Sequence, residues 1–146
     1  MNTMASALRV GIVGCGLIGR KRAAALGRDR LTACADVDRA RAEALAAQFG
    51  AAVCSSAADL VQREDVDVVI VATTHDALAP VAVAALEAGR HVLVEKPAGR
   101  TVAEVDAIAR AAVRAERRVH VGFNHRYHPA LRRAREMAGL DRADAA

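Results

Sequence analysis

With 146 residues, 53% hydrophobic and 26% charged, the chain is too short for two full domains and too apolar for a disordered segment. Only 2% of its residues are aromatic and none is Trp, so the core is built from Ala, Val, Leu and Ile, and stacking platforms for single-stranded nucleic acid are missing. The net charge is +4 and all basic residues but Lys21 and Lys96 are arginines, densest at Arg20 to Arg22, Arg114 to Arg118 and Arg132 to Arg135, where a helical pattern marks solvated faces rather than a nucleic-acid-binding arm.

Short β-rich runs alternate along the chain with longer stretches of helical period. Leu8 to Val13 reads as a first strand ending in Gly14, and Leu17 to Leu26 as a helix stopped by Gly27. Leu31 to Ala35 is a second strand leading to Asp36. Asp38 then caps a helix that reaches Phe49 and stops at Gly50. Ala51 to Cys54 is a weak third strand, followed by a short helix from Ser56 to Arg63. Val66 to Val71 is the clearest strand, a nearly unbroken β-branched run of the kind buried on both faces. Thr73 to Asp76 reads as a loop, Ala77 to Ala88 as a helix ending at Gly89, and His91 to Val94 as a fifth strand. Pro97 and Gly99 break the chain before Thr101, which caps a helix with Val102, Val105, Ile108, Ala109 and Ala112 on its apolar face. Arg118 to Gly122 is the sixth strand, Asn124 to Pro129 a loop, Ala130 to Ala138 a last helix, and Asp141 to Ala146 a tail.

Strict alternation with buried-type strands predicts an α/β fold, a doubly wound, mainly parallel sheet in the order 3-2-1-4-5-6. A ligand then belongs at the carboxyl ends of the strands, beside the turns after strands 1 and 4, where the strand order reverses. Cys15, Cys34 and Cys54 have neither CxxC spacing nor a nearby histidine pair, which points to reduced thiols in a cytoplasmic protein rather than to disulfides or zinc. No apolar run approaches the ~20 residues of a membrane span, and no signal-type region precedes Leu8.

The turn after strand 1 is Gly14-Cys15-Gly16-Leu17-Ile18-Gly19, a GxGxxG directly behind a strand and opening a helix. Gly14 permits the tight turn, Gly16 lets the backbone approach a pyrophosphate, and Gly19 lets the helix pack closely on the sheet. The helix start supplies unpaired N–H donors and a positive dipole end. Asp36 closes strand 2, placed to accept both hydroxyls of an adenosine ribose and to repel a 2′-phosphate. NAD is therefore favoured over NADP, with Arg39 near enough in sequence to keep NADP open.

Glu95-Lys96-Pro97 follows strand 5 directly, so the ammonium of Lys96 either projects over the same sheet edge toward a substrate hydroxyl or is a solvated charge. The run from Gly122 to Pro129 gathers Asn124, His125, Arg126, Tyr127 and His128 after strand 6, a concentration that favours binding over packing. The two histidines lack a matching carboxylate at metal-ligand spacing, and no metal site is expected.

GCGLIG after the first strand, Asp36 after the second, AALEAGRHVLVEKP and VGFNHRYHPA together resemble the amino-terminal half of the Gfo/Idh/MocA family, the glucose-fructose oxidoreductases and inositol 2-dehydrogenases. The likeness spans about residues 8 to 140. It implies reversible hydride transfer between C4 of a nicotinamide and a carbinol carbon of a sugar, cyclitol or related polyol. It also implies that Lys96 binds the reacting hydroxyl, that Glu95 helps hold that lysine and the cofactor ribose, and that the Lys96–Pro97 peptide is cis. The resemblance further puts Thr73, Thr74 and His75 along the cofactor, and Asn124 and Arg126 with the cofactor-binding set.

Two departures accompany the resemblance. The usual Thr-Pro-Asn reads Thr73-Thr74-His75, and Leu78 replaces a histidine, which alters the expected nicotinamide side of the pocket. Family members also run to more than twice this length, with a second, α+β domain that supplies further active-site groups, most of the substrate pocket and the usual oligomer interface. On this reading residues 1–128 form the NAD(P)-binding domain and 129–146 begin a second domain that the chain does not complete. The chain is then the cofactor-binding half of an oxidoreductase, weakly active or inactive alone and completed by a separate carboxyl-terminal half or in a homo-oligomer. A non-catalytic NAD-binding sensor or regulatory module is the alternative.

Overall fold

The computed structural model describes residues 6–139. Its six strands are β1 (Arg9–Val13), β2 (Arg30–Ala35), β3 (Ala52–Val53), β4 (Val68–Val71), β5 (His91–Val94) and β6 (Val119–Val121). They form one sheet in the order β3-β2-β1-β4-β5-β6 with every pairing parallel, as the alternation of strand and helix patterns predicts.

Six helices connect or follow the strands: α1 (Leu17–Ala24), α2 (Arg39–Phe49), α3 (Ala57–Val61), α4 (His75–Glu87), α5 (Val102–Ala115) and α6 (Pro129–Met137). Side chains alternate across each strand, so each sheet face feeds its own core. Ile12, Cys15, Cys34 and Ile70 pack with Ala42 and Leu45 of α2 on one face. Val13, Val69, Val71 and Val94 pack with Leu78 and Leu86 of α4 and Ile108 of α5 on the other. Leu86 is fully buried, and truncating such a residue to Ala costs about 2–5 kcal/mol.

Local chemistry sets the helix starts. Asp38 accepts the Ala40 N–H at 3.1 Å, Ser56 the Asp59 N–H at 3.0 Å, and Thr101 the Glu104 N–H at 3.2 Å. Several boundaries differ from the sequence reading. α4 begins at His75, two residues before the predicted start, because Thr74 is extended and Asp76 in the first turn complements the helix dipole. α1 ends at Ala24, short of Leu26. α3 keeps only Ala57–Val61, and β4 starts at Val68 although Val66 is also buried.

The predicted apolar face of α5 is corrected too. Val102 is 78% and Val105 42% exposed, and Ala109 is exposed, while the buried stripe is Ile108, Ala111 and Ala112. The face toward α4 carries alanines that allow close helix approach, and the larger valines mark the outer face. The 124–129 segment contains a 3-10 turn at Asn124–Tyr127. The α6 helix has no buried residue and packs chiefly on that turn. The predicted tail, 141–146, lies outside the described residues. No helix among the described residues is long and apolar enough to cross a membrane.

Candidate functional site

The strand order reverses between β1 and β4. Gly14 stands at that point with φ +94°, and a Cβ there would lie 2.3 Å from the carbonyl oxygen of Ala72. At Gly19 a Cβ would fall 1.9 Å from the carbonyl oxygen of Gly14. Packing alone demands glycine at both positions. Gly16 differs, for nothing lies within 4 Å of a Cβ built on it. The fold leaves that space open, and a diphosphate approaching the backbone would fill it.

Gly16 is also the N-cap of α1, with no side-chain cap and no acidic residue in the first turn. The first amides of the helix, at Leu17 and Ile18, have no acceptor within it, and the dipole is not offset. Both side chains are exposed, Leu17 by 60% and Ile18 by 43%. This donor set fits an anionic diphosphate.

Asp36 closes the wall on the β2 side. Its Oδ2 accepts the Cys15 N–H at 2.6 Å, and its Oδ1 accepts the Asp38 N–H at 2.8 Å. Two backbone amides thus orient the half-buried carboxylate, and each oxygen keeps a lone pair for a ribose hydroxyl. Arg39, the cation that kept NADP open, donates instead to Glu43 at 2.7 Å on an exposed helix face. Cys15 contributes backbone only. Its side chain is 1% exposed in the core, where a hydrogen bond with Cys34 and burial push the thiol far above its ordinary range.

Over β4, Thr73 is half-buried, while Thr74 and His75 are exposed at the start of α4. Leu78 does not border the pocket as expected, because it faces the sheet and is fully buried. Beyond β5, Glu95 is the only buried charged residue among those described, at 8% exposure. Its Oε1 accepts from Arg22 Nε at 2.5 Å, and Arg22 Nη2 donates to Asn124 Oδ1 at 2.7 Å. Arg22 therefore joins the site although the sequence reading placed it only in a basic cluster. Its one signal there is its place one turn past Gly19.

Lys96 is exposed and, among the described residues, makes no hydrogen bond or ion pair. The peptide between it and Pro97 is cis, as the resemblance implies. Lys96 borders a cleft of about 280 Å³ together with Ile18, Lys21, Arg22, Glu95 and Asn124. Arg126 lies apart from that cleft, along a larger groove of about 930 Å³ that opens on the β5–β6 side and shares Arg22 and Asn124. His125 borders the smaller cleft, whereas His128 caps α6 by accepting the Ala130 N–H at 3.3 Å. Among the described residues no group of three or more His, Cys, Asp or Glu side chains is placed to hold a metal.

The family model described as an oxidoreductase family with an NAD-binding Rossmann fold, Gfo/Idh/MocA, matches residues 8–123. Inositol 2-dehydrogenase 3 of Saccharopolyspora erythraea is 36% identical over 135 residues, which are 89% of this chain and 40% of that protein. Inositol 2-dehydrogenase of Salmonella typhimurium is 35% identical over 127 residues, 82% of this chain and 38% of that protein. Among solved structures, GenD2 from gentamicin A biosynthesis in complex with NAD superposes with a TM-score of 0.85 at 33% identity, covering 92% of this chain and 40% of that one. The WlbA dehydrogenase of Chromobacterium violaceum, in complex with NADH and UDP-GlcNAcA, gives 0.85 at 28% identity, covering 89% and 39%. The chain thus spans about 40% of the length of the curated relatives it matches.

Proposed function

This chain belongs to the Gfo/Idh/MocA oxidoreductase family as its NAD-binding Rossmann domain, and from that premise we propose that it is the cofactor-binding half of a dehydrogenase acting on a CH–OH group of a sugar, cyclitol or related polyol. The observation that carries this reading is the pairing of Asp36, held at 2.6 Å by the Cys15 amide, with the open backbone at Gly16. A ribose and a diphosphate need those two features side by side.

The bound nicotinamide supplies hydride acceptance and release at its C4 position. The chain's own residues do the rest. The Gly14–Gly19 turn and the first amides of α1 hold the diphosphate, and Asp36 accepts the ribose hydroxyls. Thr73, Thr74 and His75 border the cofactor over β4, and Asn124 borders it beyond β6, while Arg126 lies along the neighbouring groove. Lys96, unpaired among the described residues, donates from its Nζ to the reacting hydroxyl oxygen, where the ammonium stabilises developing negative charge.

Residues 129–146 begin a second domain on this reading. That α6 buries no residue in the first domain supports it. The inositol dehydrogenase names among the relatives support a polyol as substrate. Their greater length supports a catalytic complement on a further domain or a second polypeptide, so the isolated chain is a weak catalyst. Three free cysteines accord with a reducing, cytoplasmic setting.

Titration of the purified chain with NADH and NADPH, followed by nicotinamide fluorescence, tests the reading. NADH is expected to bind more tightly than NADPH. Absence of binding by either cofactor overturns it.

A further inference from the structure

We propose that Arg22 is a positioning residue that sets where the Lys96 ammonium stands, by tying together segments from three strand ends. The inference deepens, and rests on, the assignment of Lys96 as the group that meets the substrate hydroxyl.

Arg22 projects from α1, the helix whose first amides face the proposed diphosphate. Its guanidinium grips Glu95 after β5 at 2.5 Å and Asn124 after β6 at 2.7 Å. The arrangement is closely fitted. A Cβ at Gly122 would stand 2.8 Å from Glu95 Oε2 and 3.0 Å from Arg22 Nη2, so any larger residue there would displace the pair. Burial makes the tie strong, because a carboxylate 8% exposed is costly without a cation against it.

Among the described residues Lys96 has no partner of its own, so its place depends on the backbone from which it rises. Glu95 is the preceding residue, and its carbonyl oxygen accepts the Ala98 N–H at 2.9 Å, closing the same turn. Holding the Glu95 side chain therefore holds the root of Lys96. Arginine suits the task because its planar fork meets a carboxylate and an amide oxygen at once, whereas an ammonium is a single point of charge.

The chain contains only two lysines, Lys21 and Lys96. Reductive methylation with ¹³C-formaldehyde therefore gives two lysine side-chain resonances besides the amino terminus, and a Lys21→Arg variant identifies the Lys96 signal. Arg22→Met is expected to move that signal in the cofactor-free chain and to remove most of its shift on NADH saturation. Arg22→Lys keeps a cation beside Glu95 and adds a third lysine resonance, recognised by its absence from the other variants. It is expected to restore at least part of the wild-type Lys96 signal, a rescue that mere filling of space would not produce. A Lys96 resonance identical to wild type in Arg22→Met, with and without NADH, overturns the proposal.

Should Arg22→Met not fold, Asn124→Ala removes only the second prong. It is expected to move the Lys96 signal in the same direction by a smaller amount, and no movement overturns the proposal. Failure of the wild-type chain to bind NADH counts against the cofactor reading instead, while the cofactor-free spectra still decide the role of Arg22.

Discussion

The two edges of the sheet treat charge in opposite ways at β1 and β4. At the amino edge Asp65 and Asp67, which lead into β4, each meet an arginine donor. Asp67 receives the Arg9 backbone N–H at 2.9 Å and its guanidinium at 3.0 and 2.6 Å, and Arg63 forks onto Asp65 at 2.8 and 2.7 Å. At the carboxyl edge Asp36 is held by amides rather than by a cation, Gly16 faces open space and Lys96 has no partner among the described residues. One edge uses its charges to close the fold, and the other, apart from the Arg22–Glu95 pair, leaves polar groups available to a ligand.

The glycine turn gives the largest expected effects and the sharpest division within that second edge. Gly19→Val should destabilise the chain by about 3 kcal/mol or more, because backbone occupies the place of the new side chain. A urea melt measures this. Gly16→Ala should leave the same melt within about 0.5 kcal/mol of wild type, because its Cβ enters empty space. It should nonetheless weaken NADH at least tenfold, or about 1.4 kcal/mol. Unchanged NADH affinity in Gly16→Ala would mean that the open space serves no diphosphate.

A somewhat smaller effect is expected of Asp36→Ala. Losing the acceptor for the ribose hydroxyls should weaken NADH about tenfold or less, and NADPH much less, so that the preference between them narrows. Parallel titrations read both numbers, and equal losses would remove Asp36 from cofactor selection. Lys96→Met should change NADH affinity by less than about twofold, since an exposed cation with no partner among the described residues contributes little to a site built from amides and a carboxylate. If NADH affinity collapses in that variant, Lys96 grips the cofactor rather than the substrate.

How legible each edge is in the sequence follows from the same contrast. Strand order, the glycine turn and Asp36 could be read because each leaves a local signature: β-branched runs, glycine spacing and an acid at a strand end. The pairing of Arg22 with Glu95 could not, because a contact across 73 residues leaves no periodic mark in the sequence. The α5 face differs in part from its sequence pattern for a related reason. Hydrophobic periodicity correctly includes Ile108 and Ala112 but adds Val102, Val105 and Ala109, whereas packing buries the small Ala111 in their place. Leu78 differs too: the resemblance puts it where a histidine would meet the nicotinamide, whereas in α4 it is fully buried in the core.

The smallest expected effect belongs to the amino edge and tests whether the two edges are independent. Hydrogen bonds from the Arg9 guanidinium hold the Asp67 carboxyl below its ordinary range despite some opposing desolvation. A folded-state value below the unfolded value of about 3.9 means that the native state binds fewer protons as acid is added. The contribution of this pair is therefore complete above that value and is lost as pH falls through the lower, folded-state value. Asp67→Asn should lower Tm at pH 7 by about 2 °C, and its Tm should then fall less steeply than wild type between about pH 4 and pH 2. Thermal melts across that range measure both. NADH affinity at pH 7 should not change, because Asp67 lies at the end of β4 opposite the Gly14 turn. If it falls, the pair at the amino edge governs the spacing of β1 and β4 at the carboxyl edge, and the division between the edges fails.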